Sequence, residues 1–200
     1  TQIDLSDYAD LNGAKFIIDT MHLDDNLTAL NQIKAHKLAG QINFNLGPST
    51  LLGLDVPNML ADLNNIVVGQ GKDQSRKQSF KALKEAIPSG DLSEKRDQKT
   101  FIHKAQITTN ISNNQYQLTG ANITGEGFVV DLSGGGQIEP LQAQLALNLK
   151  PDPYDAQTQL YIPSTVSGPM EKLNFSVDWA SLNKQFFAIY KAKLKKEIHD

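Results

Sequence analysis

The chain has 200 residues, enough to bury roughly 70% of its unfolded surface in one large domain without covalent staples. An apolar fraction of 40% excludes an intrinsically disordered chain, and 19 Lys and Arg against 22 Asp and Glu leave a net charge of -3, which excludes a global positive field for nucleic acid. Cysteine is absent, which removes disulfides, thiolate metal sites and a Cys nucleophile.

The chain starts at Thr1 without a basic segment leading into an apolar one, so it reads as an excised piece of a longer protein. No run of about eighteen apolar residues occurs, and no segment reads as a membrane-spanning helix. Lys15 to Leu23 is the first predicted strand. Ile42, Phe44 and Leu46 then alternate with Gln41, Asn43 and Asn45, the period of two that places one face of a strand in an apolar core and the other in water. Pro57 at a first helical position, followed by Met59, Leu60 and Leu63, predicts a short helix. Phe80, Leu83 and Ile87, ended by Pro88 and Gly90, predict a second. The polar stretch Ser89 to Gln98 reads as a surface loop.

From about Lys99 to Asp178 the pattern is that of an antiparallel meander. Phe101, Ala105, Ile107 and Ile111 alternate with Lys104, Gln106, Thr108 and Asn110. Asn113-Asn114 marks a hairpin turn, followed by strand candidates Tyr116 to Thr119 and Ala121 to Leu132, with Gly134-Gly135-Gly136 read as the next turn. The clearest strand is Leu141, Ala143, Leu145, Leu147 and Leu149, closed by Pro151-Asp152-Pro153. Thr158 to Pro163 and Leu173, Phe175, Val177 and Trp179 complete the strand set. Leu182, Phe186, Ile189, Tyr190, Leu194 and Ile198 recur at helical spacing and predict an amphipathic C-terminal helix, with Lys191, Lys193, Lys195 and Lys196 in its last turns. Asn and Gln, 15 and 16 of them, keep the wet faces of the strands soluble without charge.

Chemistry-bearing patterns are sparse. His22, His36, His103 and His199 form no metal-ligand spacing. Gly69-Gln70-Gly71-Lys72 puts Asp73 where a phosphate loop needs Ser or Thr, and Gly125-Glu126-Gly127 lacks the third glycine of a dinucleotide fingerprint. Asp24-Asp25 and Asp152 with Asp155 read as turn and cap residues, not as a carboxylate pair. The sequons at Asn26, Asn110, Asn122 and Asn174 are read as chance in an amide-rich chain. No cofactor, metal or catalytic residue is expected.

The order of elements carries a family resemblance. Gly53-Leu54-Asp55-Val56-Pro57-Asn58-Met59-Leu60, then Gly125-Glu126-Gly127-Phe128-Val129-Val130-Asp131-Leu132, the leucine strand, Tyr161-Ile162-Pro163, Val166-Ser167-Gly168-Pro169 and Leu173-Asn174-Phe175-Ser176-Val177-Asp178-Trp179 resemble the C-terminal region of AsmA-family envelope proteins. The chain departs from that pattern in having Glu171-Lys172 where a proline usually precedes the last strand. The resemblance covers about residues 50 to 180. It implies a periplasmic module, continuous with an N-terminal region anchored in the inner membrane, whose β-groove carries phospholipid toward the outer membrane, with an older association with outer-membrane protein assembly. It brings no catalytic residues.

The expected fold is mainly β with α: a curved antiparallel sheet forming a half-barrel or groove, with about three helices including the C-terminal one at 181–199, in a single domain spanning 1–200. The expected function is non-catalytic lipid handling, with acyl chains lying against Ile107, Val129, Leu145, Leu147, Ile162 and Phe175. Lys191, Lys193, Lys195 and Lys196 are candidates for contact with a membrane surface. Membrane or envelope proteins are the other expected partners, and nucleic acid is not one. An assembly factor acting through a sheet edge and an enzyme with dispersed catalytic residues converging in a pocket are the readings from other classes.

Overall fold

The computed structural model describes residues 9–10, 15–23, 38–68, 76–87, 89–92 and 97–199, and side chains over 39–65, 80–85, 87, 89–92 and 97–192. The readings at Asp24-Asp25, Asn26, His36 and Gly69 to Lys72 lie outside them. In chain order the elements are β1 (Ala9–Asp10), β2 (Lys15–Leu23), β3 (Leu38–Leu46), β4 (Ser49–Leu52), α1 (Val56–Val68), α2 (Arg76–Ala86), β5 (Gly90–Asp91), β6 (Lys99–Ser112), β7 (Gln115–Gly125), β8 (Phe128–Gln137), β9 (Gln142–Pro151), β10 (Ile162–Pro169), β11 (Asn174–Val177) and α3 (Trp179–His199). The strands form one curved, open antiparallel sheet in the order β1-β4-β6-β7-β8-β9-β10-β11-β5, with β2 on β3 and β3 on β6. The fold is therefore the expected class, mainly β with three described helices including the C-terminal one.

β3 and β4 are two lengths of one line along β6: Leu46 pairs Ala105 and Ser49 pairs Ile102. The break falls at Gly47-Pro48, where the proline has no N–H for the ladder. Opposite it, the β6–β7 register shifts between Ile102 and Lys104. That bulge at His103 corrects one predicted face. Ile102 and Ala105 both point into the core, and Phe101 is 50% exposed on the other side, so strict alternation from Ala105 back to Phe101 fails by one residue.

The Asn113-Asn114 turn is present, both residues at positive φ (49° and 64°), as a two-residue hairpin requires, with Ser112 paired to Gln115. The next turn lies elsewhere than predicted. Residues 121–132 are not one strand: the chain reverses at Glu126-Gly127, Gly127 taking φ 72°, and Gly125 pairs Phe128. The glycine triplet sits inside β8 instead of ending it. A Cβ on Gly136 would collide with the Gln142 carbonyl of β9 and come within 2.8 Å of the Tyr116 hydroxyl of β7. The bare backbone lets Tyr116 reach across β8, its OH donating to the Gln142 carbonyl at 3.1 Å. Strand β10 starts only at Ile162, because Asp155 organises the preceding residues into a turn, accepting from Gln157 N–H at 2.9 Å and Thr158 Oγ at 2.7 Å.

The three helices pack on one face of the sheet. Asp55 caps α1, its carboxylate accepting from the Asn58 N–H at 3.1 Å, and Pro57 sits in the first turn where its missing donor costs nothing. Val56, Met59, Leu60 and Leu63 of α1, Leu83 of α2, and Leu182, Phe186 and Ile189 of α3 meet Phe128, Val130, Leu149, Ile162, Val166, Phe175 and Val177 in one core. Each such side chain, fully buried, stabilises by about 1.5–3 kcal/mol. One buried polar residue ties α1 to the sheet. Thr100 Oγ1 accepts from Val56 N–H at 2.9 Å and donates to the Leu54 carbonyl at 2.8 Å.

Asp178 caps α3, accepting from the Ser181 hydroxyl at 2.6 Å and the Ser181 N–H at 3.0 Å. These bonds, the hydroxyl's first, hold its carboxyl below the ordinary aspartate range. Because the folded value is depressed, the stabilisation is complete above the ordinary range and is lost as pH falls through the depressed value. Asp178→Ala is expected to cost about 1 kcal/mol at neutral pH. Asp178→Asn should keep most of the cap at neutral pH and flatten the acid limb of the stability profile, read by urea unfolding across acid pH; an unchanged acid limb would show the cap is not formed.

Candidate functional site

The ladder registers arrange the dry face in rows running across the strands, about 7 Å apart along them. One row is Leu46, Ala105, Ile123, Val130, Leu149 and Ile162, one residue from each strand between β3 and β10. Moving away from the helices, the next includes Phe44, Ile107, Ala121, Leu132 and Leu147, and the one after includes Ile42, Thr109, Gly134, Leu145 and Val166. The last holds Gly40, Ile111, Tyr116, Gly136, Ala143 and Gly168. Burial falls along this direction on β3, β6 and β8, whereas on β9 and β10 Ala143 and Val166 of the outer rows are buried again, at 6% and 7% exposed. Ala105, Val130, Leu149 and Ile162 are buried, whereas Phe44, Ile107, Leu132 and Leu147, then Ile42 and Leu145, are half-buried. The helices cover one end of the dry face and the buried residues of β10 and β11, while on β3, β6 and β8 the apolar pattern continues past the cover and on β9 Leu145 and Leu147 are partly exposed between buried Ala143 and Leu149.

Against this geometry the six predicted acyl-chain residues separate. Ile107 stands in the rows beyond the helices, partly exposed, and Leu145 and Leu147, also partly exposed, pack against the margin of the helix-covered core. Ile162 and Phe175 are on the same face but are 0% and 1% exposed, sealed within the helical core. Val129 is on the other face, paired with Lys150 of β9 and Thr124 of β7, because Phe128 and Val130 are the inward residues of β8. Its placement is a correction: in a run of Phe, Val and Val, composition alone does not say which alternate set turns inward, and the Gly125–Phe128 turn decides it. Ile42, Phe44, Ile111 and Leu132 join the open rows without having been singled out. The alternation at Ile42 to Leu46 signalled the first two.

The opposite face is polar. Gln41 donates to Asn110 and Gln106 to Asn45, both at 3.3 Å, and Gln117 donates to the Gly134 carbonyl at 2.8 Å. A hollow of about 780 Å³ over β7 to β10 is lined chiefly by this face, including Gln115, Gln117, Gln142, Gln144, Thr165 and Ser167. At the other end of β9, Lys150 pairs with Asp131 and lies over the rings of Tyr154 and Tyr161, 5.6 and 5.8 Å from their centroids. The hydrogen bond to Asp131 raises the Lys150 pKa, keeping it charged. Burial raises the Tyr116 phenol above its ordinary value, and it stays neutral as a donor to Gln142.

Of the four lysines proposed for a membrane surface, Lys191 is exposed on α3, and the side chains of Lys193, Lys195 and Lys196 lie outside the described residues. The helix is docked by Leu182, Phe186 and Ile189, with Gln185 accepting from the Tyr161 N–H at 3.1 Å. Tyr190, placed by periodicity on the apolar stripe, is 39% exposed. Among the described residues no three His, Asp or Glu side chains gather as a metal site, and no helix is long and apolar enough to cross a membrane.

The arrangement defines an open antiparallel β-sheet domain, helix-capped on one end of its apolar face. Compared with known proteins, the chain matches no family model, no curated protein and no solved structure.

Proposed function

We propose that this chain is a non-catalytic lipid-handling module, in which phospholipid acyl chains lie against the uncovered rows of the dry face. The observation that carries the reading is the continuation of that face past the buried core: Ile42, Phe44, Ile107, Leu132, Leu145 and Leu147 are apolar, share one face and remain partly exposed. Burying them against a hydrocarbon chain recovers about 0.8 kcal/mol per methylene. Such contacts are non-directional, so neighbouring positions of the chain have similar energies and sliding meets small barriers. The resemblance to AsmA-family proteins supports the same reading, and with it a place in the periplasm as part of an inner-membrane-anchored protein.

The sealed and open halves of one face supply an internal control. A photo-crosslinking side chain at Leu145 or Ile107, activated in cells, is expected to trap phospholipid, and one at Ile162 is not. Crosslinks at Leu145 and Ile107 to protein neighbours alone would overturn the proposal and favour an assembly role.

A further inference from the structure

The C-terminal helix has a second face that packing leaves partly exposed. Among the described residues only three large hydrophobic side chains are more than a third exposed, and two of them, Phe187 at 37% and Tyr190 at 39%, stand three apart on α3. That spacing places them side by side on the helix surface. Lys184 and Lys191, three residues before and four after Phe187, are exposed on the same side. Between Asp178, which lies near enough to Lys184 to interact with its charge, and Glu197 no acidic residue occurs, although the chain as a whole is acidic. The helix is held by its other stripe, Leu182, Phe186 and Ile189, and so presents this face at a fixed orientation.

We propose that the Lys184–Phe187–Tyr190–Lys191 face of α3 docks on an anionic lipid bilayer. Two aromatic rings flanked by lysines match the boundary layer of a bilayer, where rings enter the acyl region and ammonium groups remain among anionic headgroups. The lysines favour an anionic surface over a neutral apolar one, and the rings distinguish it from a purely ionic partner. The inference is separate from the acyl-chain reading, since docking leaves the open rows of the sheet untouched.

The test is flotation of the full chain with extruded vesicles. Vesicles of phosphatidylglycerol mixed with phosphatidylcholine are expected to carry the protein up the gradient, and vesicles of phosphatidylcholine alone to leave it behind. Phe187→Ser with Tyr190→Ser, and separately Lys184→Gln with Lys191→Gln, should each lower partitioning by about tenfold or more, with unchanged circular dichroism, and with melting unchanged for the lysine pair and lowered slightly for the aromatic pair, whose rings are 37% and 39% exposed. Leu145→Glu, which disables the open face, should float like the wild type. Absence of flotation with phosphatidylglycerol, equal flotation on both vesicle types, or unchanged flotation of either α3 variant would overturn the proposal. A Leu145→Glu variant that no longer floats would also overturn it, by showing that the sheet and not the helix holds the vesicle.

Discussion

Ile162→Ala and Phe175→Ala are expected to destabilise the domain by about 3–5 kcal/mol each, while Leu145→Ala and Leu147→Ala cost about 1 kcal/mol. All four residues lie on one face of the sheet and look alike in the strand pattern. The difference is cover. Ile162 and Phe175 are 0% and 1% exposed beneath the helices, so truncation leaves a cavity whose walls cannot collapse. Leu145 and Leu147 are half-buried, and water or a lipid chain fills the space a truncated side chain leaves. Urea midpoints at unchanged slope would measure the four costs. Equal losses at all four would mean that the dry face is one closed core, and the lipid proposal would fall with its open rows.

Thr100→Val is expected to cost about 2–4 kcal/mol, since the substitution keeps the volume but leaves the Val56 N–H and the Leu54 carbonyl without their partner. Thr100 is 1% exposed, so no water replaces the hydroxyl without opening the joint between α1 and β6. Thr100→Ser retains both hydrogen bonds and loses only a methyl group, costing about 1 kcal/mol. Thermal or urea unfolding of the pair distinguishes the two contributions. If the valine variant were as stable as the serine one, the bridge would contribute nothing and α1 would be held by Met59, Leu60 and Leu63 alone.

Much of the architecture was legible from residue order. Ala143, Leu145, Leu147 and Leu149 do face one way, although Leu141 falls in the turn before β9, the Asn113-Asn114 hairpin is where its turn chemistry places it, α1 has Pro57 in its first turn and α2 ends two residues before Pro88. Period and turn chemistry act between neighbours in the chain, which is why they can be read locally. The errors fall where a distant strand intervenes. The glycine triplet looks like a turn, yet β7 and β9 press on both sides of it and need its missing side chains. The bulge at His103 moves Phe101 out of the core because the opposing line of β3 and β4 breaks at Pro48. Val129 loses its inward place to Phe128 and Val130 through the turn that precedes them.

The candidate site divides in the same way. Alternation of apolar and amide residues determined by itself that this chain would make a sheet with one dry and one wet face, because side-chain direction in a strand reverses at every residue whatever surrounds it. Which part of the dry face stays open was decided by the helices. Their positions depend on contacts between residues far apart in the chain, such as Thr100 with Val56 and Phe186 with the sheet. The outward set of Phe187 and Tyr190 was decided likewise, since a helix with apolar residues on adjacent stripes can dock by only one of them, and the core's shape selects which.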